Sequence, residues 1–429
     1  MIRLFIIFIR ILVISRSPWD DRNSIGNTFS NWFTDWSDAE FFGVYSRASM
    51  PDNKVCHKFY MVPPLALLKN MFRPSKTGWS IDTKSENSTI EVSKEQTLIQ
   101  NAQQGKKEWM YLVTDLAYST GLWKSAAYRK FIAEANPDIV FSFAEADAFI
   151  YENYCYLKQH THAKIVTFIA DDTYGSYLEN KTIRNRLQAR RFHKMMHMSD
   201  LVYGASEMMC QAYQRDFGRK VIPLYKGCTL GAVKKSNNNP LRIVYAGNLL
   251  WGRSDILGAL AEALVKVNKE GIKATLEIYT GSFVTPEMES KLNRGESSRI
   301  MGRRSYEEIV QIMHDADIVL HVESFDPKTI KIVRYSFSTK IIDCMQSGTA
   351  MMVIGPAGIA SVEYPRQIPG VIVVDRIEEI QQRVKDIVSN PSVLIENARS
   401  IHSFAQKNHS IDSVRKSLHD DFIELLKQK

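Results

Sequence analysis

Strand-length apolar runs alternate with amphipathic stretches along most of the chain, the pattern of a parallel α/β fold. In the first half the runs are ILVIS (11–15), WMYLV (109–113), DIVFSF (138–143), KIVTFIA (164–170) and LVYGAS (201–206). Each is expected to form a strand. Helical segments lie between them, such as SAAYRKFIAEANP, which stops at Pro137 just before the third run. Residues 73–107 are polar with little periodicity and read as a long exposed loop with a short helix near its end.

A polar run ending in proline, Lys234 to Pro240, reads as an inter-domain linker. The alternation then restarts with the strands LRIVYAG, ATLEIYTG, DIVLHVE, AMMVIG and GVIVV. Helices are expected over DILGALAEALVKVNKEG, SYEEIVQIMHDA and TKIIDCMQSG, and from Ile377 onward the chain reads as helical. The expected organisation is therefore two Rossmann-like α/β domains, 1–233 and 241–400, joined by 234–240. A C-terminal helical segment, 401–429, is expected to pack back on the first domain.

Composition narrows the picture without changing it. With 45% hydrophobic and 24% charged residues, the chain is neither disordered nor a polytopic membrane protein. Its 429 residues can bury large cores without disulfides. The five cysteines, Cys56, Cys155, Cys210, Cys228 and Cys344, contain no CxxC pair and read as free thiols in a reducing compartment. The opening MIRLFIIFIRILVIS is broken by Arg3 and Arg10, and is shorter than the ~20 residues that span a bilayer. Ile11 to Ser15 is expected as the first buried strand, behind a short apolar extension.

Several signatures are missing: GxxxxGK[ST], HExxH, GxSxG, and GxGxxG opening a helix. His160-x-His162 and His193-x-x-x-His197 are weak metal candidates, the latter because it lies beside arginines. Asp315-Ala-Asp317 precedes a strand instead of following one, so its aspartates are expected to cap elements, not to hold a metal.

Two segments carry candidate chemistry. In SFSTKIIDCMQSGTAMMVIGP (Ser336 to Pro356), a loop with Ser338, Thr339 and Lys340 enters a helix bearing Asp343 in its first turn. Free N–H groups and Lys340 suit a diphosphate, and Asp343 is placed for ribose hydroxyls. The alternative is an ordinary N-cap at Ser338 or Thr339, with Asp343 as dipole compensation. In Tyr245 to Arg253, Gly247 permits close backbone approach at a strand end, and Arg253 near the helix start can meet a phosphate.

On these residues the second half resembles the donor-binding domain of GT-B glycosyltransferases, in particular the large retaining family 4 (group 1) type that includes many bacterial polysaccharide enzymes. YAGNL, ADIVLHVESF and STKIIDCMQSGTAMMVIGP carry the resemblance, with Ala350 where the family has proline. The start, SRSPWDDRNSIGNTFSNWF, resembles the glycine-containing first loop, with Gly26 near the domain crevice on the acceptor side. The resemblance implies transfer of a sugar from a nucleotide diphosphate sugar between two domains, without metal or other cofactor. Gly247, Asn248, Arg253, Ser338, Thr339 and Lys340 would hold the diphosphate, Asp343 the ribose, and Glu323 the sugar or base. Two departures stand out. Tyr335 occupies the place of the family's first paired glutamate, and Phe168-Ile-Ala-Asp171-Asp172 lacks its histidine.

Asp171 and Asp172 are the candidate catalytic carboxylates, one as base on an acceptor hydroxyl, with an N-cap pair as the alternative. Between Lys181 and Lys194 lie six lysines or arginines and no acid, a basic helical face suited to anionic phospholipid or a lipid-linked acceptor. The excess of 55 basic over 47 acidic residues gives +8, and no nucleic-acid module accompanies it. The expected protein is a cytoplasmic sugar transferase of surface polysaccharide or glycoconjugate assembly, peripheral on the inner membrane face. A nucleotide-sugar 2-epimerase and a non-catalytic nucleotide-sugar- or partner-binding member share the architecture and stand as alternatives.

Overall fold

The computed structural model describes residues 8–84, 108–179 and 182–428. They fall into two compact units, one running to Leu224 and resumed from Arg415, the other Tyr225–Val414.

The first unit is built on β1 (Ile9–Ser15), β2 (Ala39–Tyr45), β3 (Lys58–Met61), β4 (Trp79–Asp82), β5 (Ile139–Phe143), β6 (Lys164–Ile169), β7 (Leu201–Gly204) and β8 (Ile222–Pro223). Their order in the sheet is β4-β3-β2-β1-β5-β6-β7-β8, parallel throughout except for β3 with β4. Ile11–Ile14 of β1 and Ile139–Phe141 of β5 are unbroken apolar runs because helices cover both faces of a parallel sheet. The helix Ile411–Lys427 adds Phe422 to an aromatic cluster with Phe33, Trp36 and Phe141. Tyr203 donates to Asp421 at 2.7 Å beside it.

One expected strand is a helix. WMYLV lies inside the helix Glu108–Ser119. Its apolar residues continue through Leu116, Ala117 and Tyr118, a run too long for a strand, and Asp115, Ala117 and Tyr118 are the buried positions. The second strand is instead AEFFGVY (β2), whose mid-run Gly43 weakens the strand signal. β4 falls within the stretch read as a polar loop. The rest of that stretch, 85–107, lies outside the described residues. β1 begins at Ile9, two residues before the expected start.

The second unit has β9 (Leu241–Ala246), β10 (Ala274–Tyr279), β11 (Ser298–Gly302), β12 (Ile318–Val322), β13 (Ala350–Ile354) and β14 (Ile372–Val374). Their order is β11-β10-β9-β12-β13-β14, and all pairs are parallel. Ile243 and Tyr245 face one layer with Leu257, Leu260 and Leu264. Val244 and Val319 face the other with Ile341, Ile342 and Met345. Every strand expected in this half is present.

The change of unit falls between Leu224 and Tyr225, so Lys234 to Pro240 belong to the second unit. The reason is Asp317, fully buried at the start of β12. Its carboxylate pairs with Lys234 at 2.8 Å and accepts from the Asn238 and Arg242 amides at 2.9 and 2.7 Å. Asp317 thus anchors backbone, whereas the Asp315 carboxylate accepts from the Gln311 side chain at 2.9 Å. Removing a buried carboxylate strands its cation and two amides, so Asp317→Ala should lower unfolding stability by about 3–5 kcal/mol. Urea denaturation of the variant checks this.

Candidate functional site

In the second unit, β9 and β12 are neighbours, and both end at the same edge of the sheet. In open parallel sheets that edge is the ligand crevice. β9 delivers Gly247 and Asn248, and the helix Arg253–Val267 starts at Arg253. β12 delivers Glu323 immediately after Val322, and the helix Lys340–Gln346 starts at Lys340.

These residues form one cluster. Arg253 donates through Nε to the Val322 carbonyl at 3.2 Å and through a terminal nitrogen to Asn248 Oδ1 at 2.9 Å. Its other nitrogen pairs with Glu323 at 3.0 Å, and His321 Nε2 lies 3.1 Å from the same carboxylate. Burial works to raise the Glu323 carboxyl, but His321 and Arg253 hold it below its usual range. The Glu323 carboxylate thus lies between the Arg253 guanidinium and the His321 ring.

Lys340 Nζ rests on Gly247, where a Cβ would collide with it, and sits 5.4 Å from the centre of the Tyr245 ring. Glycine leaves room here for the close approach of the ammonium, which a larger residue would push aside. Among the described residues Lys340 makes no hydrogen bond or ion pair. Burial pushes it down to about 8, and Arg253 adds to the shift. Two cations thus stand in one cluster with a single carboxylate, Glu323, which pairs with Arg253.

Thr339 has helical backbone angles and makes no side-chain cap, and Ser338 is engaged through its amide, which donates to Ser361 Oγ at 2.9 Å. The expected alternative of an ordinary side-chain N-cap is not what forms. Asp343 lies one turn on, lining a cavity of about 120 Å³ with Ala246, Tyr306, Met313 and Lys340. Burial raises its carboxyl, with Lys226 and Lys340 pulling the other way.

In the first unit the expected residues are more dispersed. Gly26 sits in the first turn of the helix Ser24–Phe33, where a Cβ would collide with the backbone of Asp20. It fixes the loop after β1. Asp172 Oδ1 accepts from Tyr213 at 2.9 Å and from the Gly175 amide at 3.1 Å, so it caps the helix Thr173–Glu179. That is the capping role weighed against catalysis. Asp171 is exposed beside it. On the basic helix Ile183–Met198, Arg191 turns inward to an ion pair with Asp115, whereas Arg186, Arg190 and Lys194 are exposed. Lys181 lies outside the described residues.

A second charged cluster, unread in the sequence, lies where β1, β2 and β5 end. Arg16 follows β1 and pairs at 3.2 Å with Asp147, which caps the helix Ala148–His160. Glu145 precedes it, pushed up to about 7 by burial and by Asp147. AEAD directly behind a fully buried strand was the available signal.

No family model and no curated protein matches the chain. Solved structures do. HepE from Anabaena, solved with UDP and glucose, aligns over 97% of this chain and 100% of its own at 12% identity, TM-score 0.59. Sucrose-phosphate synthase from Thermosynechococcus elongatus aligns over 98% and 99% at 10% identity, TM-score 0.62. A UDP-forming α,α-trehalose-phosphate synthase from Burkholderia xenovorans, solved with glucose-6-phosphate, aligns over 96% and 99% at 8%, TM-score 0.60. The fold is GT-B.

In this GT-B chain each of the two sheets presents a charged cluster at the ends of its strands. The acidic side of the first cluster has a measurable signature. A carboxyl whose folded value stands near 7, against 4.5 in the unfolded chain, keeps its proton longer in the fold. Stability then falls as pH rises from about 4.5 to about 7 and is flat above. Glu145→Gln removes that contribution. Its unfolding free energy, compared with wild type by urea titration at pH 5 and pH 8, should show a shallower decline.

Proposed function

We propose that the chain is a glycosyltransferase that takes a sugar from a nucleotide diphosphate sugar. The observation that carries this reading is Lys340, a partly buried ammonium that makes no hydrogen bond or ion pair among the described residues, beside Arg253 and against Gly247. A cation without an ion-pair partner, next to a second one held by a buried carboxylate at the strand ends, suits a diphosphate. The solved relatives bound to UDP or UDP-sugar supply the same chemistry on the same fold.

In the reaction, the bond from the sugar's anomeric carbon to the diphosphate breaks as an acceptor oxygen bonds to that carbon. The electron pair leaves on the nucleoside diphosphate, and the acceptor proton passes to a base. Arg253 and Lys340 face the charge that develops on the leaving phosphate, the kind of preorganised stabilisation that dominates many enzymes. Asp343 is placed for the ribose hydroxyls. On this reading Arg253 and Lys340 supply the positive charge that the diphosphate needs, so no metal is expected.

The acceptor reading is a glycan or lipid-linked molecule of surface polysaccharide or glycoconjugate assembly. Exposed Arg186, Arg190 and Lys194 support peripheral contact with an anionic membrane. No helix among the described residues is long and apolar enough to cross one.

The test is a panel of UDP-, GDP-, ADP- and dTDP-linked sugars without metal, read by thermal unfolding and by release of nucleoside diphosphate. A ligand at 100 times its Kd adds about 2.7 kcal/mol of stability. One donor should raise the midpoint and be slowly hydrolysed in the absence of acceptor. Silence across the panel by a folded protein contradicts the reading.

A further inference from the structure

The first unit holds a cavity of about 170 Å³ at the ends of β1 and β2, lined by Arg16, Arg47, Tyr111, Asp115, Asp147 and Arg184 among others. Its charges do not cancel. Asp147 is matched by Arg16 at 3.2 Å, and Asp115 by the ion pair with Arg191 and by the Ala148 amide at 2.7 Å. Arg47 and Arg184 are left over. Arg47 makes no side-chain hydrogen bond or ion pair among the described residues. Arg184 lies over the Tyr111 ring at 5.2 Å, and its Nε is buried with no hydrogen-bond partner. A buried guanidinium N–H without an acceptor is costly, and the cost is relieved when an anion supplies one. Glu145, the remaining carboxylate near Arg16 and Arg47, carries only part of a charge near neutral pH.

We propose that this cavity binds a phosphate monoester, gripped by the guanidinium groups of Arg47 and Arg184. Guanidinium forks match the tetrahedral oxygens of phosphate, and two of them balance its two charges. Asp147 also lines the cavity and offers an acceptor for hydroxyl groups, so the molecule attached to the phosphate is a sugar or another polyol. Assigning it as the sugar acceptor rests on the transferase reading above. The anion site itself does not. The phosphate could reach the cavity on a soluble sugar or on a lipid headgroup, and the test separates the two.

Titration of the full chain with glucose 6-phosphate, with inorganic phosphate, and with vesicles containing 20% phosphatidic acid distinguishes the sources at fixed ionic strength. The Lys340→Ala background removes phosphate bound at the donor cluster. Saturable binding is expected there, weakened at least tenfold by Arg47→Gln with Arg184→Gln, both at positions outside the apolar core. Tighter binding of the sugar phosphate assigns a soluble ligand, and tighter binding of the vesicles a lipid. In otherwise wild-type protein the same double variant should still bind nucleoside diphosphate. Phosphate affinity that ignores both arginines overturns the proposal. If phosphate binding needs the arginines while no nucleoside diphosphate binds at all, the transferase reading fails and the anion site stands.

Discussion

Replacing Lys340 by alanine is expected to weaken nucleoside diphosphate binding by about 3 kcal/mol, roughly 100-fold, the usual loss for a desolvated charge partner. The same change should not destabilise the unliganded protein. In the fold Lys340 is pushed down to about 8 by burial and by Arg253, so at neutral pH its charged form opposes folding. A side chain that costs stability while unliganded and is needed for the ligand has a binding role, not a structural one. Calorimetric titration and thermal unfolding of the variant read the two effects separately. Lost affinity with an unchanged or higher midpoint is the expected pair. A large fall in the midpoint would instead make Lys340 part of the scaffold.

Replacing Glu323 by alanine is expected to act in the opposite sense on stability, lowering it by about 3–5 kcal/mol. Glu323 is 2% exposed and lies between His321 and Arg253, so its loss leaves the Arg253 guanidinium partly buried without its carboxylate. Donor affinity should fall with it, because the hydrogen bonds from Arg253 to Val322 and Asn248 alone hold the guanidinium less firmly. Glu323→Gln keeps the shape and removes the charge. The attraction that Glu323 exerts on Lys340 then disappears, and Lys340 should lose its proton at a lower pH than in wild type. Urea denaturation of the alanine variant and pH-dependent binding by the glutamine variant check the two parts. A wild-type profile in both would remove Glu323 from the account.

Five of the six strands of the second unit were legible in the sequence because they are mostly apolar runs with glycine or charged residues at the ends, whereas the more exposed edge strand β11, SRIMG, was not. Gly247, Arg253 and Lys340 lie 93 residues apart at the extremes, yet the parallel order of β9 and β12 brings their loops to one edge. What sequence could not supply was the internal pairing. His321 reads as one polar residue in an apolar strand, and only the packed sheet shows it against Glu323. The first unit was less legible for two physical reasons. WMYLV has strand composition but belongs to a longer helical run, and β2 carries Gly43 where a strand signal weakens. Asp171 and Asp172 drew attention as adjacent acids at a strand end, and Asp172 is held by Tyr213 in a cap. The cluster of Arg16, Glu145 and Asp147 comes from segments 129 to 131 residues apart, so no local motif announces it.

The most direct test of the donor site is the pH dependence of nucleoside diphosphate binding. UDP, GDP, ADP and dTDP are titrated calorimetrically from pH 7 to pH 9.5, and Lys340→Ala titrated in parallel corrects for ionisation of the terminal phosphate at the low end and of the nucleobase N–H at the high end. If Lys340 meets the diphosphate, the affinity of the preferred nucleotide should fall about 30-fold across that range as Lys340 loses its proton. Lys340→Arg, which keeps its charge, should flatten the profile. Affinity that does not change with pH in the wild type, or no binding by any of the four, would contradict the account.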